Sequence, residues 1–456
     1  MDSNWLNAPQ WAEEQWGALD LGDVRRTRRA VRMGTAFAGS PDDSLPTQCG
    51  SWSDAKAAYR LLNDEHLSHE ALSTLHWHHT RQAARIALPV LFIQDTTEID
   101  FSSHTATTDL GHIGDTRGRG FMMHSALAVT PGASGADILG LAWQHVWTRT
   151  ERYKGHETRA ERAKRHTEYD VWADAVQAIG PVPAGCTWVS VGDRGSDVFS
   201  YLRVARSLQW QVLLRVAQNR KVETSEGPQR LMEWMRAKVP LATTVLHVRD
   251  PQTHAVAPVR LGITFDTCHV GGPRNGPKRG SPAQQVWCVR AFDCETAGAT
   301  LEWMLMSTLP IGTVEDALEY TRWYALRWNI EDYHKCLKTG CRMEARQLRS
   351  ADRLQRLLGF LALIAVRLLW LRGASRRDGD QLASQLIPEP LCQIVAYRLQ
   401  QPEDAITLRA FWRAVASLGG FLGRRSDGDP GWQTLWKGWR RLLDLAWSMP
   451  STTESP

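Results

Sequence analysis

Between Tyr324 and Lys338 the chain reads Tyr-Ala-Leu-Arg-Trp-Asn-Ile-Glu-Asp-Tyr-His-Lys-Cys-Leu-Lys, a Y-x2-R-x3-E-x6-K spacing without Pro or Gly. That spacing predicts one helix. On it, Tyr324, Arg327, Glu331, Lys335 and Lys338 would fall within about 80° of one another, with Leu326, Ile330, Tyr333 and Leu337 on the opposite, core-facing side. A single carboxylate is thus ringed by cations and a phenol. A carboxylate that holds a divalent metal beside phosphates needs such a setting. The same residues also read as a surface ladder, because Arg327–Glu331 and Glu331–Lys335 are ordinary i,i+4 pairs.

Two further acids decide what chemistry is at hand. Leu88 to Asp95 and Thr187 to Asp193 are short apolar runs, each closed by an aspartate. Both predict a buried strand with a carboxylate at its C-terminal end, where open α/β sheets place their chemistry. Either aspartate alone is equally a turn residue or a helix N-cap. Together Asp95, Asp193 and Glu331 are the minimum needed to hold two divalent cations for in-line attack on a phosphodiester. All-oxygen ligands point to two Mg²⁺ ions, with Mn²⁺ as a substitute. No HExxH or Cys/His cluster points to zinc.

These acids require elements to position them. Residues 1 to about 75 read as helices (5–16, 25–38 and 53–62), broken by glycines and prolines. Strands are predicted at 88–95, 121–130, 138–146, 187–193 and 210–216, with a helix at 198–207. A β-rich zone spans about 222–310, interrupted by a Gly/Pro/basic loop at 271–282. Helical texture holds from Thr313 to about Arg372, and a linker at 373–380 leads to a helical, Trp-rich tail with a frayed end at 450–456. A basic stretch at 149–166 is predicted as a charged excursion or a helix start.

The chain has 456 residues, so two to four domains are expected. Its eight cysteines show no CxxC pairing, which fits reduced thiols in a cytosol. No export signal is read at the N-terminus, and the apolar run 357–366 is too short to span a bilayer, so no membrane is expected. The formal net charge of +5 permits nucleic-acid binding without demonstrating it. Residues 23–32 hold five arginines and one acid, yet the first 75 residues carry more acids than bases. A basic helix on a mixed background is the expectation. Most of the twenty-one tryptophans are expected to pack, with some available to stack on unpaired bases.

The ordered blocks resemble the cut-and-paste DDE transposases of bacterial insertion sequences, in the insertion-sequence-four group that includes the transposon-five enzyme. Tyr324, Arg327, Glu331 and Lys338 match that group's Y-R-E-K signature, and Lys335 a further lysine within it. Gln94-Asp95-Thr96-Thr97 and Gly192-Asp193-Arg194 resemble the blocks around its two catalytic aspartates. Trp303 resembles a tryptophan that stacks on a flipped base, and Arg215 an active-site arginine at the DNA end. Arg25, Arg26 and Arg29 match bases of an end-recognition helix, and residues 431–439 resemble a dimerisation segment.

The resemblance implies an α/β fold: an RNase H-like catalytic core (76–375) carrying the β-rich insertion. A helical DNA-end-binding domain (1–75) and a helical dimerisation domain (376–456) would flank it. It implies a transposase that cleaves element ends through a hairpin, with Asp95, Asp193 and Glu331 as catalytic metal ligands, and joins the 3′ ends to target DNA. Double-stranded DNA, a homodimer in the DNA complex and a cytoplasmic, nucleoid-associated location follow from it. The alternatives are a structure-selective nuclease and a silent or domesticated DNA-binding protein.

Overall fold

Near residue 88 the chain passes from helical periodicity to apolar runs, and there the computed structural model turns from helices to a sheet. The structure describes residues 6–115, 117–132, 135–149, 167–249, 256–272, 281–295, 301–375, 379–424 and 427–448. Most of the basic stretch 149–166, the centre of the 271–282 loop, part of the 373–380 linker and the 450–456 end lie outside them.

Five helices come first: α1 (Ala8–Trp16), α2 (Val24–Gly39), α3 (Leu45–Cys49), α4 (Trp52–Leu62) and α5 (His69–Ala83). Helix α2 starts where Asp23 caps it, its Oδ1 accepting the Arg25 N–H at 2.8 Å. Ala30, Met33 and Phe37 turn inward, and the intervening arginines are left at the surface or in ion pairs. The expected domain boundary near residue 75 falls inside α5, which is continuous to Ala83.

Strands and crossovers follow as β1 (Val90–Asp100), β2 (Gly111–Ile113), β3 (Gly118–Gly132), β4 (Gly135–Trp147), α6 (Val171–Ile179), β5 (Trp188–Gly192), α7 (Phe199–Ser207) and β6 (Gln211–Arg215). The β-rich zone supplies β7 (Lys221–Thr224), β8 (Gly227–Arg230), α8 (Leu231–Arg236), β9 (Ala242–Arg249), β10 (Val256–Val270), β11 (Gln284–Asp293) and β12 (Glu302–Ser307). Strands β1, β5 and β6 are parallel neighbours, whereas β3 runs antiparallel to both β1 and β4. Strand β12 then pairs antiparallel with β6, so the β-rich zone extends the same sheet in the order β6-β12-β11-β10-β7-β8. This zone, lying in the chain between Asp193 and Glu331, continues the sheet and covers an edge that β6 would otherwise expose.

The parallel strands are buried on both faces and therefore read as unbroken apolar runs. Leu91, Ile93, Val189, Val191 and Leu213 belong to the layer under α5, α10 and α11 (the last two defined below), while Phe92, Trp188, Val212 and Leu214 meet α6 and α7. Phe92, Trp188 and Trp210 pack ring to ring with centroids 4.7 to 5.2 Å apart. Each such ring removed from water contributes about 1.5–3 kcal/mol.

The chain closes with α9 (Val314–Ala325), α10 (Trp328–Lys335), α11 (Ala351–Ala374), α12 (Glu389–Leu399), α13 (Leu408–Leu418) and α14 (Trp432–Ser448). Helix α11 is long and apolar enough to cross a membrane, but every residue from Leu357 to Leu371 is buried in the fold. It is the core helix on which α5 and α14 pack. In α14, Trp432, Leu435, Trp436, Trp439 and Leu442 are all buried within this chain. Trp432, Trp436 and Trp439 serve the intramolecular core, the Trp439 ring lying 5.4 Å from that of Trp412.

Candidate active site

Asp95 is not at a strand end. Strand β1 runs on to Asp100, paired with β3 throughout, because Thr96, Thr97 and Ile99 suit a strand. What ends is the parallel partner: the last β1–β5 pair is Ile93 with Val191. Asp95 therefore lies where β5 leaves the sheet, and Asp193 lies on the departing turn. Gly195 N–H donates to Asp193 Oδ1 at 2.8 Å, and Ser196 Oγ donates to its carbonyl at 2.6 Å. Gly192 permits this turn, since a Cβ there would sit 2.4 Å from Ser196 Oγ and 2.9 Å from the Trp172 ring.

The predicted single helix at 324–338 is three pieces. Helix α9, opened by a Thr313–Asp316 capping box, ends at Ala325. Leu326 and Arg327 form a turn, α10 follows, and Cys336–Gly340 is wound as a π-turn. Gly340 is required there, as a Cβ would meet the Trp432 ring at 2.8 Å. Helix α10 is held from both sides. Gln144 Nε2 donates to Tyr333 Oη at 2.9 Å, and Asp332 is ion-paired with Arg372. These buried contacts fix the direction of Glu331.

Glu331 accepts from Arg327 Nη2 at 2.7 Å, with side chains 35% and 13% exposed. Asp193 and Glu331 are each near enough to Asp95 for their charges to act on it. Burial, Asp193 and Glu331 push the Asp95 carboxyl up to about 7, while Arg327 opposes them. Burial alone would lower the Arg327 pKa; Tyr324, Glu331 and Asp95 reverse that and raise it. His334 Nδ1 stands 3.8 Å from Asp95 Oδ2. Burial and Lys338 lower its pKa to about 3, so this contact is a neutral imidazole against a carboxyl and not an ion pair.

Among the described residues no group of three or more His, Cys, Asp or Glu side chains is assembled to hold one ion. Glu331 is turned to Arg327 instead. The chemistry of the donors nonetheless fits a hard divalent cation: all three are carboxylates, and Asp95, raised first by burial, is raised further by the charges of Asp193 and Glu331.

The other predicted residues divide. Tyr324 is buried with its ring 5.4 Å from that of Trp303, and Trp303 is only 6% exposed on β12. In this conformation the Trp303 ring belongs to the core. Arg215, at the end of β6, donates to the Glu302 carbonyl at 2.8 Å. Lys335 is exposed, and Lys338 lies 3.4 Å from Glu344. At the N-terminus Arg26 is tied to Asp64 at 2.6 Å and Arg29 to Asp54 at 2.7 Å, whereas Arg25 is exposed. Two residues escaped the sequence reading. Exposed Arg28 lies one turn from Arg25, and His334 lies one turn from Glu331 on its inner side. Helical spacing alone would have flagged both.

Residues 8–67 match the family described as transposase DNA-binding, and residues 159–367 the family described as transposase DDE domain. The two matches support a DDE transposase. The DNA-binding match spans α1 to α4, and the DDE match contains Asp193 and Glu331. Asp95 precedes the DDE match and joins its acids through the pairing of β1 with β5.

Proposed function

We propose that the chain is a DNA transposase of the cut-and-paste kind, in the insertion-sequence-four group. It would bind the ends of a DNA element, cut them through a hairpin and join the freed 3′ ends to target DNA. The observation that carries this is the convergence of Asp95, Asp193 and Glu331 from β1, the β5 turn and α10. The strand order β4-β3-β1-β5-β6, with the last three parallel, supports an RNase H-like core.

Asp95 and Asp193 would hold Mg²⁺ or Mn²⁺ with Glu331 once Arg327 turns to phosphate. The bound metal supplies a lowered pKa for the attacking water or hydroxyl and neutralises the leaving oxygen. Arg327 suits bidentate contact with phosphate, and Lys335 and Lys338 act as point charges. Arg215 and Tyr324 would face the DNA end. Trp303 would have to be uncovered before a flipped base could stack on it. Arg25, with Arg28, would lead end recognition in a helical domain at 1–75. The core would span 76–375 and a dimerising domain 376–456, with two copies acting on the two ends in a bacterial cytoplasm.

The test is Mg²⁺ incubation with a labelled duplex carrying the element's own end, resolved on a denaturing gel. A nick followed by a slow-migrating hairpin is the expected result. Cutting without a hairpin would favour a nuclease, and binding without cutting a silent protein.

A further inference from the structure

A second basic surface lies beside Asp193. A cleft of about 830 Å³ opens between the Asp193 turn, the start of α7, the β6–β7 linker and the β7–β8 hairpin. Arg194, Arg220, Lys221 and Arg230 line it against one carboxylate, Asp197, with exposed Tyr169 at its rim. Helix α7 packs on the sheet layer of Phe92, whereas α10 packs on the layer of Ile93. The cleft and the cations of α10 therefore flank the carboxylates from different sides.

Asp197, the acid among the described lining residues, is fully engaged. Asp197 is 2% exposed, paired with Arg220, and its Oδ2 accepts the N–H groups of Ala217 at 2.8 Å and Gln218 at 2.9 Å. It fixes the linker that presents Lys221. The Arg194 and Lys221 side chains are exposed and make no hydrogen bond or ion pair among the described residues. Lys221 and Arg230 stand directly opposite each other in the β7–β8 register. Like charges so placed destabilise a hairpin, and an anion between them removes the repulsion.

We propose that this cleft holds the DNA strand on the far side of the reacting phosphodiester from the element end, its phosphates lying among Arg194, Lys221 and Arg230. The inference rests on the transposase reading. A strand that passes the three carboxylates along the α10 cations must continue somewhere, and the cleft is a cationic surface beginning at Asp193.

The test measures binding of the full-length protein, without divalent metal, to two labelled duplexes by fluorescence anisotropy. One ends flush with the element; the other is extended by about one helical turn of flanking DNA. Lys221→Glu and Arg230→Glu are made singly, because each creates an opposite-charge pair across the hairpin; Lys221→Glu is the cleaner of the two, since Arg230→Glu also removes the Arg230 Nη1 bond to the Asn219 carbonyl. Each variant should bind the extended duplex at least about tenfold more weakly, with the salt slope reduced by about one, and leave flush-end binding within about twofold. Equal loss on both duplexes, no loss on either, or a wild type that gains nothing from the extension would each overturn the proposal. A wild type that prefers neither duplex to random DNA would contradict the transposase reading itself.

Discussion

Helices α2 and α10 both set arginine against acid, and they use the pairing differently. In α2 the pairs close within the helical region: Arg29 binds Asp54 of α4, and Arg26 binds Asp64 just beyond it. Arg32 shares Asp54 with Arg29, and only Arg25 and Arg28 of the α2 arginines are left exposed without an ion pair among the described residues. At α10 one guanidinium faces Glu331, while Asp95 of β1 feels both Glu331 and Asp193 of the turn after β5. The acids exceed the base, and burial keeps solvent from relieving them. Matched pairs stitch helices together, whereas the surplus of carboxylate around Arg327 is what the proposed metal would offset.

The comparison breaks most sharply at Glu331. Glu331→Gln should lower metal-dependent cleavage by about three orders of magnitude with DNA binding retained. Comparable cleavage by the variant would return Glu331 to the surface-ladder reading.

Asp95 tests the surplus through pH. Its folded pKa of about 7 lies above its ordinary value. The folded chain is thus favoured while Asp95 stays protonated, and it loses that advantage as pH rises from about 4 through about 7. Asp95→Asn should melt with the wild type near pH 4 and be more stable at pH 8, by up to about 4 kcal/mol. Added Mg²⁺ should narrow that gap by stabilising the wild type alone. Equal melting of the two proteins at both pH values would remove the strain argument.

Tyr333→Phe leaves a buried Gln144 N–H without its acceptor and should cost about 1–3 kcal/mol. Cleavage should fall about tenfold through misplacement of Glu331, with KM unchanged.

The smallest effects separate the two kinds of arginine in α2. Arg25→Ala with Arg28→Ala should reduce the salt slope of end binding by about two and leave thermal stability unchanged. Arg26→Ala with Arg29→Ala should instead lower stability by about 1 kcal/mol and alter the slope less. The reverse pattern would mean that the ion pairs open to meet DNA.

Much of the sheet was legible because its strands are buried on both faces, so 88–95 and 187–193 announce themselves as apolar runs. The three acids were legible as residue types after strands and on a helix. The extension of Asp95's strand was not, because only the partner β5 ends there, and pairing partners are non-local. The break at Leu326–Arg327 was equally hidden: nothing in its residues forbids a helix, and the packing of α10 on β4 and α11 determines it. Trp303 and the α14 tryptophans show the same limit, since an aromatic ring reads alike whether it packs inside the chain or faces a ligand.

The measurement that goes straight to the central claim is DNA-end cleavage by Asp193→Cys in Mg²⁺ and in Mn²⁺. A thiolate binds the harder Mg²⁺ poorly and accepts Mn²⁺ better. The expected protein binds DNA, fails to cut it in Mg²⁺ and recovers cutting in Mn²⁺. Cutting in Mg²⁺ at the wild-type rate would contradict the assignment of Asp193 as a metal ligand, and with it the three-carboxylate site.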